Sequence, residues 1–122
     1  MAYLLIAIGG ALGSVARYKM NDLVQNWTHA RFPLGTLLVN VVGCVLIGVL
    51  WRAFMGNPNE QHWRAATIIG FCGGFTTFST FSMDAIGLIQ GGEWLKASVY
   101  VVGSVAAGLL GTAIALGRTA PR

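Results

Sequence analysis

The sequence predicts an all-α membrane protein with four transmembrane helices, the third of them broken, forming one domain over residues 1–122. Three observations predict it. The 122 residues are 55% hydrophobic and 10% charged, whereas a soluble domain carries about 25% charged residues, so a water-facing surface cannot be assembled from this inventory. Four uncharged stretches, at 1–16, 32–51, 65–83 and 97–117, make up most of the chain, and an apolar helix needs roughly 20 residues to cross the hydrocarbon layer. In the third stretch a glycine pair lies about midway and a run of hydroxyl residues follows it, a composition that weakens a helix where lipid demands satisfied backbone groups.

The first span, 2–22, reaches full length if Arg17 extends its guanidinium toward the headgroups. No basic region precedes its apolar run, so it reads as a retained span and not as a cleaved leader. The second, 33–54, carries Asn40 as the one strongly polar residue at its centre. The third covers 64–89 and the fourth 94–117. Connections at 25–33, 55–63 and 90–94 each combine Gly, Pro or Asn with a Trp suited to the membrane interface. Function must then lie within the bilayer.

Counting Lys and Arg near the span ends sets Arg52, Arg64, Arg118 and Arg122 on one side against Arg17, Lys19, Arg31 and Lys96 on the other. The difference is zero. Either the orientation signal is weak, or copies insert both ways and pair antiparallel. Small residues at four-residue spacing, Gly9 with Gly13 and Gly103, Ala107, Gly111, Ala115, allow close helix approach within one chain or between two. Cys44 and Cys72 read as small, reduced core residues, and His29 and His62 fall in different connections near no acidic partner, so no metal cluster is expected from them. The net charge of +4 suits lipid headgroups or an anionic passenger better than nucleic acid.

Chemistry concentrates in the third span, Gly70-Phe-Cys-Gly-Gly-Phe-Thr-Thr-Phe-Ser-Thr-Phe-Ser82. A break at Gly73-Gly74 would aim carbonyls from the end of one half-helix, around Gly73 to Thr76, at a cation, and N–H groups from the start of the next at an anion. Phe75, Phe78 and Phe81 recur through it; such rings are commonly core, although a ring edge is positive and can face an anion. Asn40 is either glue between helices or a pore donor. Tyr100, Ser104 and Thr112 share one stripe of the fourth span with Gly108 between them. The four acids, Asp22, Glu60, Asp84 and Glu93, all avoid the middle of a span. Donors without a central titrating carboxylate point to a passive pathway for a small anion.

Along essentially its whole length the chain resembles the Fluc/CrcB family of fluoride channels. The residues that carry the resemblance are Gly9-Gly10-Ala-Leu-Gly13-Ser-Val-Ala-Arg17-Tyr18, Pro33-Leu-Gly35-Thr36-Leu-Leu-Val-Asn40 and the Gly70–Ser82 run. The resemblance implies an antiparallel dual-topology homodimer in the bacterial inner membrane, holding two fluoride pores and a structural sodium ion at its interface. It assigns Asn40, Phe78, Ser79, Thr80, Phe81, Tyr100, Ser104 and Thr112 to the anion pore and Arg17 to the aqueous vestibule. It gives the backbone carbonyls of Gly73 and Thr76 to sodium. Gly108, Asp84 and Phe75 depart from the family pattern, where serine, glutamate and leucine are common. The expected activity is passive fluoride export, not an enzymatic reaction. The alternatives are a small proton-coupled exporter, which would need a central carboxylate, and a non-transporting membrane subunit.

Overall fold

The computed structural model describes residues 1–29 and 31–117, and every regular element among them is helical. Helix α1 (Ala2–Thr28) runs past the end expected at 22. Its polar tail satisfies itself locally: Asn26 Nδ2 donates to Asp22 Oδ1 at 3.1 Å and Thr28 Oγ1 to the Val24 carbonyl at 2.8 Å. It stops at His29, which turns left-handed (φ 48°) and returns its N–H to the Gln25 carbonyl. Helix α2 (Leu34–Phe54) begins straight after Pro33, whose missing N–H costs nothing there. The two helices are tied at this end, because the Gly35 N–H donates to Gln25 Oε1 at 3.3 Å.

The next segment starts at α3 (Glu60–Trp63), runs on as a π-helix over Arg64–Cys72, and ends in the short α4 (Gly73–Phe75). Two residues then leave the helix: Thr76 (φ −87°, ψ 156°) and Thr77 (φ −151°, ψ 113°) are extended. Helix α5 (Phe78–Gln90) resumes, Gly92 turns the chain at φ +76°, and α6 (Trp94–Leu116) completes the fold.

The interruption therefore falls after the Gly73-Gly74 pair expected to carry it. Both glycines are helical. Gly74 is held against α1, where a Cβ would run into the Gly10 carbonyl and lie 3.0 Å from Ser14 Oγ. Low helix propensity only weakens a helix, and this tight packing overrides it. What ends the helix is competition for the backbone groups of Thr77, described below.

Small residues set the helix spacing. A Cβ on Gly9 would meet the Ala66 carbonyl and one on Gly13 the Phe71 carbonyl, so the α1 glycines seat the π-helical segment of the same chain. Helix α2 packs on α6 in the same way. A Cβ on Gly48 would lie 2.7 Å from Ala115 Cβ, and one on Gly111 would lie 2.9 Å from Val45 Cγ2. Such contacts bring backbones together where lipid gives no hydrophobic incentive to associate.

The interior is correspondingly modest: Val39, Ala65, Cys72, Phe75, Ala97 and Tyr100 are buried, while Leu12, Trp27, Leu95, Leu109 and Ile114 face outward. Among the described residues α2 and α6 are long and apolar enough to cross a membrane; α1 carries Arg17, Lys19 and Asp22 within its length. At one end Arg64 pairs with Glu60 at 2.7 Å and lies 3.7 Å over the Trp51 ring, while Phe54 and Trp63 stack with centroids 5.5 Å apart. Of the basic residues counted for orientation, Arg118 and Arg122 lie outside the described residues.

Candidate functional site

The site is built around the two extended residues. In an uninterrupted helix the Thr77 N–H would donate to the Gly73 carbonyl. Here it donates instead to Asn40 Oδ1 at 2.8 Å, and Asn40 Nδ2 donates to the Thr77 carbonyl at 3.0 Å. One amide side chain on α2 thus binds both main-chain groups of one residue, as a neighbouring strand would. One Nδ2 hydrogen remains for another acceptor. The two readings of Asn40, glue and pore donor, meet in one residue: the clamp uses part of its capacity, and the same side chain lines a cavity of about 420 Å³.

Thr77 then restarts the helix. Its Oγ1 accepts the Thr80 N–H at 3.2 Å, a side-chain cap for one of the free donors at the start of α5. That N–H would otherwise close on the Thr76 carbonyl. The ladder donors of the Gly73 and Thr76 carbonyls are therefore both diverted.

Phe78 and Phe81 follow on α5 with ring centroids 5.6 Å apart, and Phe81 lies 5.1 Å from Tyr100. Phe78 is 80% exposed, so its ring stands at the open side of the cavity it shares with Phe81, Asn40 and Ser104. Ser79 and Thr80 occupy the first turn of α5 between those rings. On α6, Tyr100 is fully buried and its hydroxyl donates to Asp84 Oδ2 at 3.1 Å. The shorter carboxylate at 84 therefore still reaches the tyrosine. Four residues on, Ser104 Oγ is buried with no hydrogen-bond partner.

Thr112 stands apart. Its hydroxyl donates to the Cys44 carbonyl at 2.9 Å, and it does not line the cavity. Gly108 explains why: a Cβ there would lie 3.2 Å from Cys44 Sγ, so the glycine lets α6 approach α2 closely enough for Thr112 to tie the two helices. Phe75, the third departure from the family pattern, is buried and stacks on Phe71 at 5.7 Å.

Arg17 lies across the extended residues from the large cavity. Its Nη1 donates to the Thr76 carbonyl at 3.4 Å, and with Ser14, Asn21, Thr36 and Thr80 it lines a second, polar cavity of about 340 Å³. For a cation, the Gly73 carbonyl and the Thr76 carbonyl, which Arg17 also meets, are hard oxygen donors at a helix C-terminal end, which suits sodium. No group of three or more His, Cys, Asp or Glu suited to a metal occurs among the described residues.

The family model for "CrcB-like protein, Camphor Resistance (CrcB)" matches residues 4–117. The chain belongs to the CrcB-like family. With that membership and its membrane-length helices it is an all-helical membrane protein. Three similar proteins carry the description "Fluoride-specific ion channel FluC". That of Nitrobacter winogradskyi is 47% identical over 103 residues, covering 84% of this chain and 82% of its own length. That of a Thermus thermophilus strain is 46% identical over 107 residues, covering 88% and 86%. That of Paramagnetospirillum magneticum is 41% identical over 127 residues, covering 98% and 94%. Every site residue of this CrcB-family chain, from Arg17 to Thr112, falls inside the matched region.

Sequence reasoning did not assign a role to Thr77. Its signal was present: threonine is a preferred helix N-cap, and Thr77 stands just before the stretch where the third span resumes. Gln25, which accepts the Gly35 N–H at the start of α2, and Asn21, which packs against Gly35, were also missed, Gln25 because 25–33 reads as a connection and Asn21 because it sits unremarked at the end of the first span.

Proposed function

We propose that this protein is a fluoride-specific ion channel of a bacterial inner membrane that lets fluoride leave the cell passively and so lowers its cytoplasmic toxicity. The observation that carries this reading is a large cavity that Ser104 shares with Asn40, Phe78 and Phe81 and that no charged residue lines, with the Ser104 oxygen itself buried and unpartnered beside it. An uncompensated buried hydroxyl is costly unless something comes to meet it. Fluoride is small and strongly hydrated, so a pathway for it must replace water with donors. The free Nδ2 hydrogen of Asn40, the hydroxyls of Ser79, Thr80 and Ser104 and the positive ring edges of Phe78 and Phe81 are suited to that. The names of the similar proteins support the same ion. Arg17 raises the local anion concentration in its polar cavity. Thr112 serves the α2–α6 seam.

The chain works as a multi-pass channel, not an enzyme, and as an antiparallel dual-topology homodimer. Two features support a second copy. Phe78 is 80% exposed at the open side of the cavity, and a Cβ on Gly73 would meet nothing within 4 Å of its own chain. Two copies meeting there would supply the Gly73 and Thr76 carbonyls twice over, a set of oxygens suited to one structural sodium ion.

The test is flux from liposomes holding the purified protein. Fluoride efflux that excludes chloride and ignores an imposed proton gradient is expected. Dependence on that gradient would favour a proton-coupled exporter, and absence of any flux a non-transporting subunit.

Gly73→Val tests the dimer and the ion together. Because a Cβ here finds open space in the single chain, helical content should persist in this variant. A branched side chain at a two-fold contact should nonetheless lower flux and dimer recovery by about tenfold. Replacing sodium by a bulky organic cation should reproduce the effect in the unaltered protein. Dimer recovery unmoved by either change would refute the central sodium site.

A further inference from the structure

We propose that Thr77 is a positioning residue for conduction: held at both main-chain groups by Asn40, it aims the hydroxyls of Ser79 and Thr80 with its own. The inference rests on the channel reading of those two hydroxyls. Thr77 is 8% exposed, and its Oγ1 meets three polar atoms. It accepts the Thr80 N–H at 3.2 Å, donates to Thr80 Oγ1 at 3.1 Å and lies 3.3 Å from Ser79 Oγ.

A hydroxyl has one proton. Thr77 gives its proton to Thr80 Oγ1, so its contact with Ser79 uses the Ser79 proton, and Ser79 donates to an anion only by giving up this contact. The Thr80 oxygen is then an acceptor toward Thr77, and its own proton is free to point outward, where an anion would need it. The same threonine lines both cavities, the polar one with Arg17 and the large one with Asn40 and Ser104. It is thus the wall between them. The Asn40 clamp keeps that wall from turning, because rotating the Thr76-Thr77 or Thr77-Phe78 peptide would break a hydrogen bond of 2.8 or 3.0 Å. Preorganised donors do better than donors that must reorient, and small misplacements are expensive in rate.

The experiment is a mutant cycle read by fluoride efflux from liposomes, with dimer recovery measured on each sample. Thr77→Val keeps the shape and removes the hydroxyl. It should slow efflux by about tenfold while leaving the dimer intact. Thr77→Ser keeps the hydroxyl and should restore most of the rate. In a Ser79→Ala/Thr80→Ala background, which is itself slow, Thr77→Val should add less than about twofold, because the groups it aims are gone. If Thr77→Val does not fold, Thr77→Ala takes its place in the cycle.

Unaltered efflux in Thr77→Val overturns the positioning role alone. So does failure of Thr77→Ser to restore the rate, or an undiminished Thr77→Val effect in the alanine background. Unaltered efflux in the Ser79→Ala/Thr80→Ala protein itself overturns the channel role of the two hydroxyls, and the positioning role falls with it.

Discussion

Asn40→Asp is expected to reduce fluoride efflux by about 100-fold or more while the helices still assemble. The carboxylate can still accept the Thr77 N–H, as Asn40 Oδ1 does at 2.8 Å. It cannot replace the donation from Nδ2 to the Thr77 carbonyl, so two acceptors would face each other where a 3.0 Å hydrogen bond now closes the clamp. A fixed negative charge would also line the cavity that the anion must enter. At about 4 Å and an effective dielectric of 20, repulsion between two unit charges is about 4 kcal/mol. That alone accounts for a fall of this size. Asn40→Ala removes the clamp without adding charge and should therefore cost less. Efflux from liposomes, compared across these proteins and the unaltered one, gives the answer; an aspartate variant conducting at the original rate would take Asn40 out of the pathway.

Gly13→Ala is expected to be, with Gly9→Ala, among the most damaging single-methyl additions in the fold. Its Cβ would run into the Phe71 carbonyl oxygen and lie 2.9 Å from both Phe71 C and Phe75 N. These are backbone atoms, so no side-chain rotation relieves the clash. Either α1 and the π-helical segment separate, or the last turn before Thr76 shifts with them. Overpacking of this kind costs about 3 kcal/mol or more when the obstacle cannot move. Gly103→Ala is the matched control, since a Cβ there meets nothing within 4 Å. Alanine is also the better helix former by about 1 kcal/mol. Thermal unfolding in detergent should show a clear loss for Gly13→Ala and none for Gly103→Ala. Equal melting curves for the two would mean that α1 and the π-helical segment can part without consequence.

Much of the architecture was legible in the residue order. Two of the four uncharged stretches fall on helices long and apolar enough to cross a membrane, and these helices, α2 and α6, begin and end within a residue or two of the expected bounds. The end of α1 was placed at 22 because Gln25, Asn26 and the residues on to Pro33 look like a connection. The Asn26 and Gln25 side chains instead bond along the helix and to the start of α2, partners that hydropathy does not register. The polar stripe on the fourth span was read as one track. Ser104 lines the large cavity with its oxygen buried, whereas Thr112 is drawn to the Cys44 carbonyl by the close approach at Gly108.

What the sequence determined by itself is set by local composition: a chain too apolar to present a water-facing surface, helices of crossing length, a concentration of hydroxyls and rings in the third span, and a lone amide at 40. These properties need no partner to be true. The tertiary structure decided where the third span opens. Glycine at 73 and 74 lowers helix propensity, yet α1 holds that turn closed, and Asn40, 37 residues before Thr77, ends the helix by binding both main-chain groups of that residue. A propensity difference of about 1 kcal/mol per glycine is outweighed by packing and by satisfied hydrogen bonds in a medium without water. Those bonds join residues far apart in the chain, which is why they become visible only once the helices are packed.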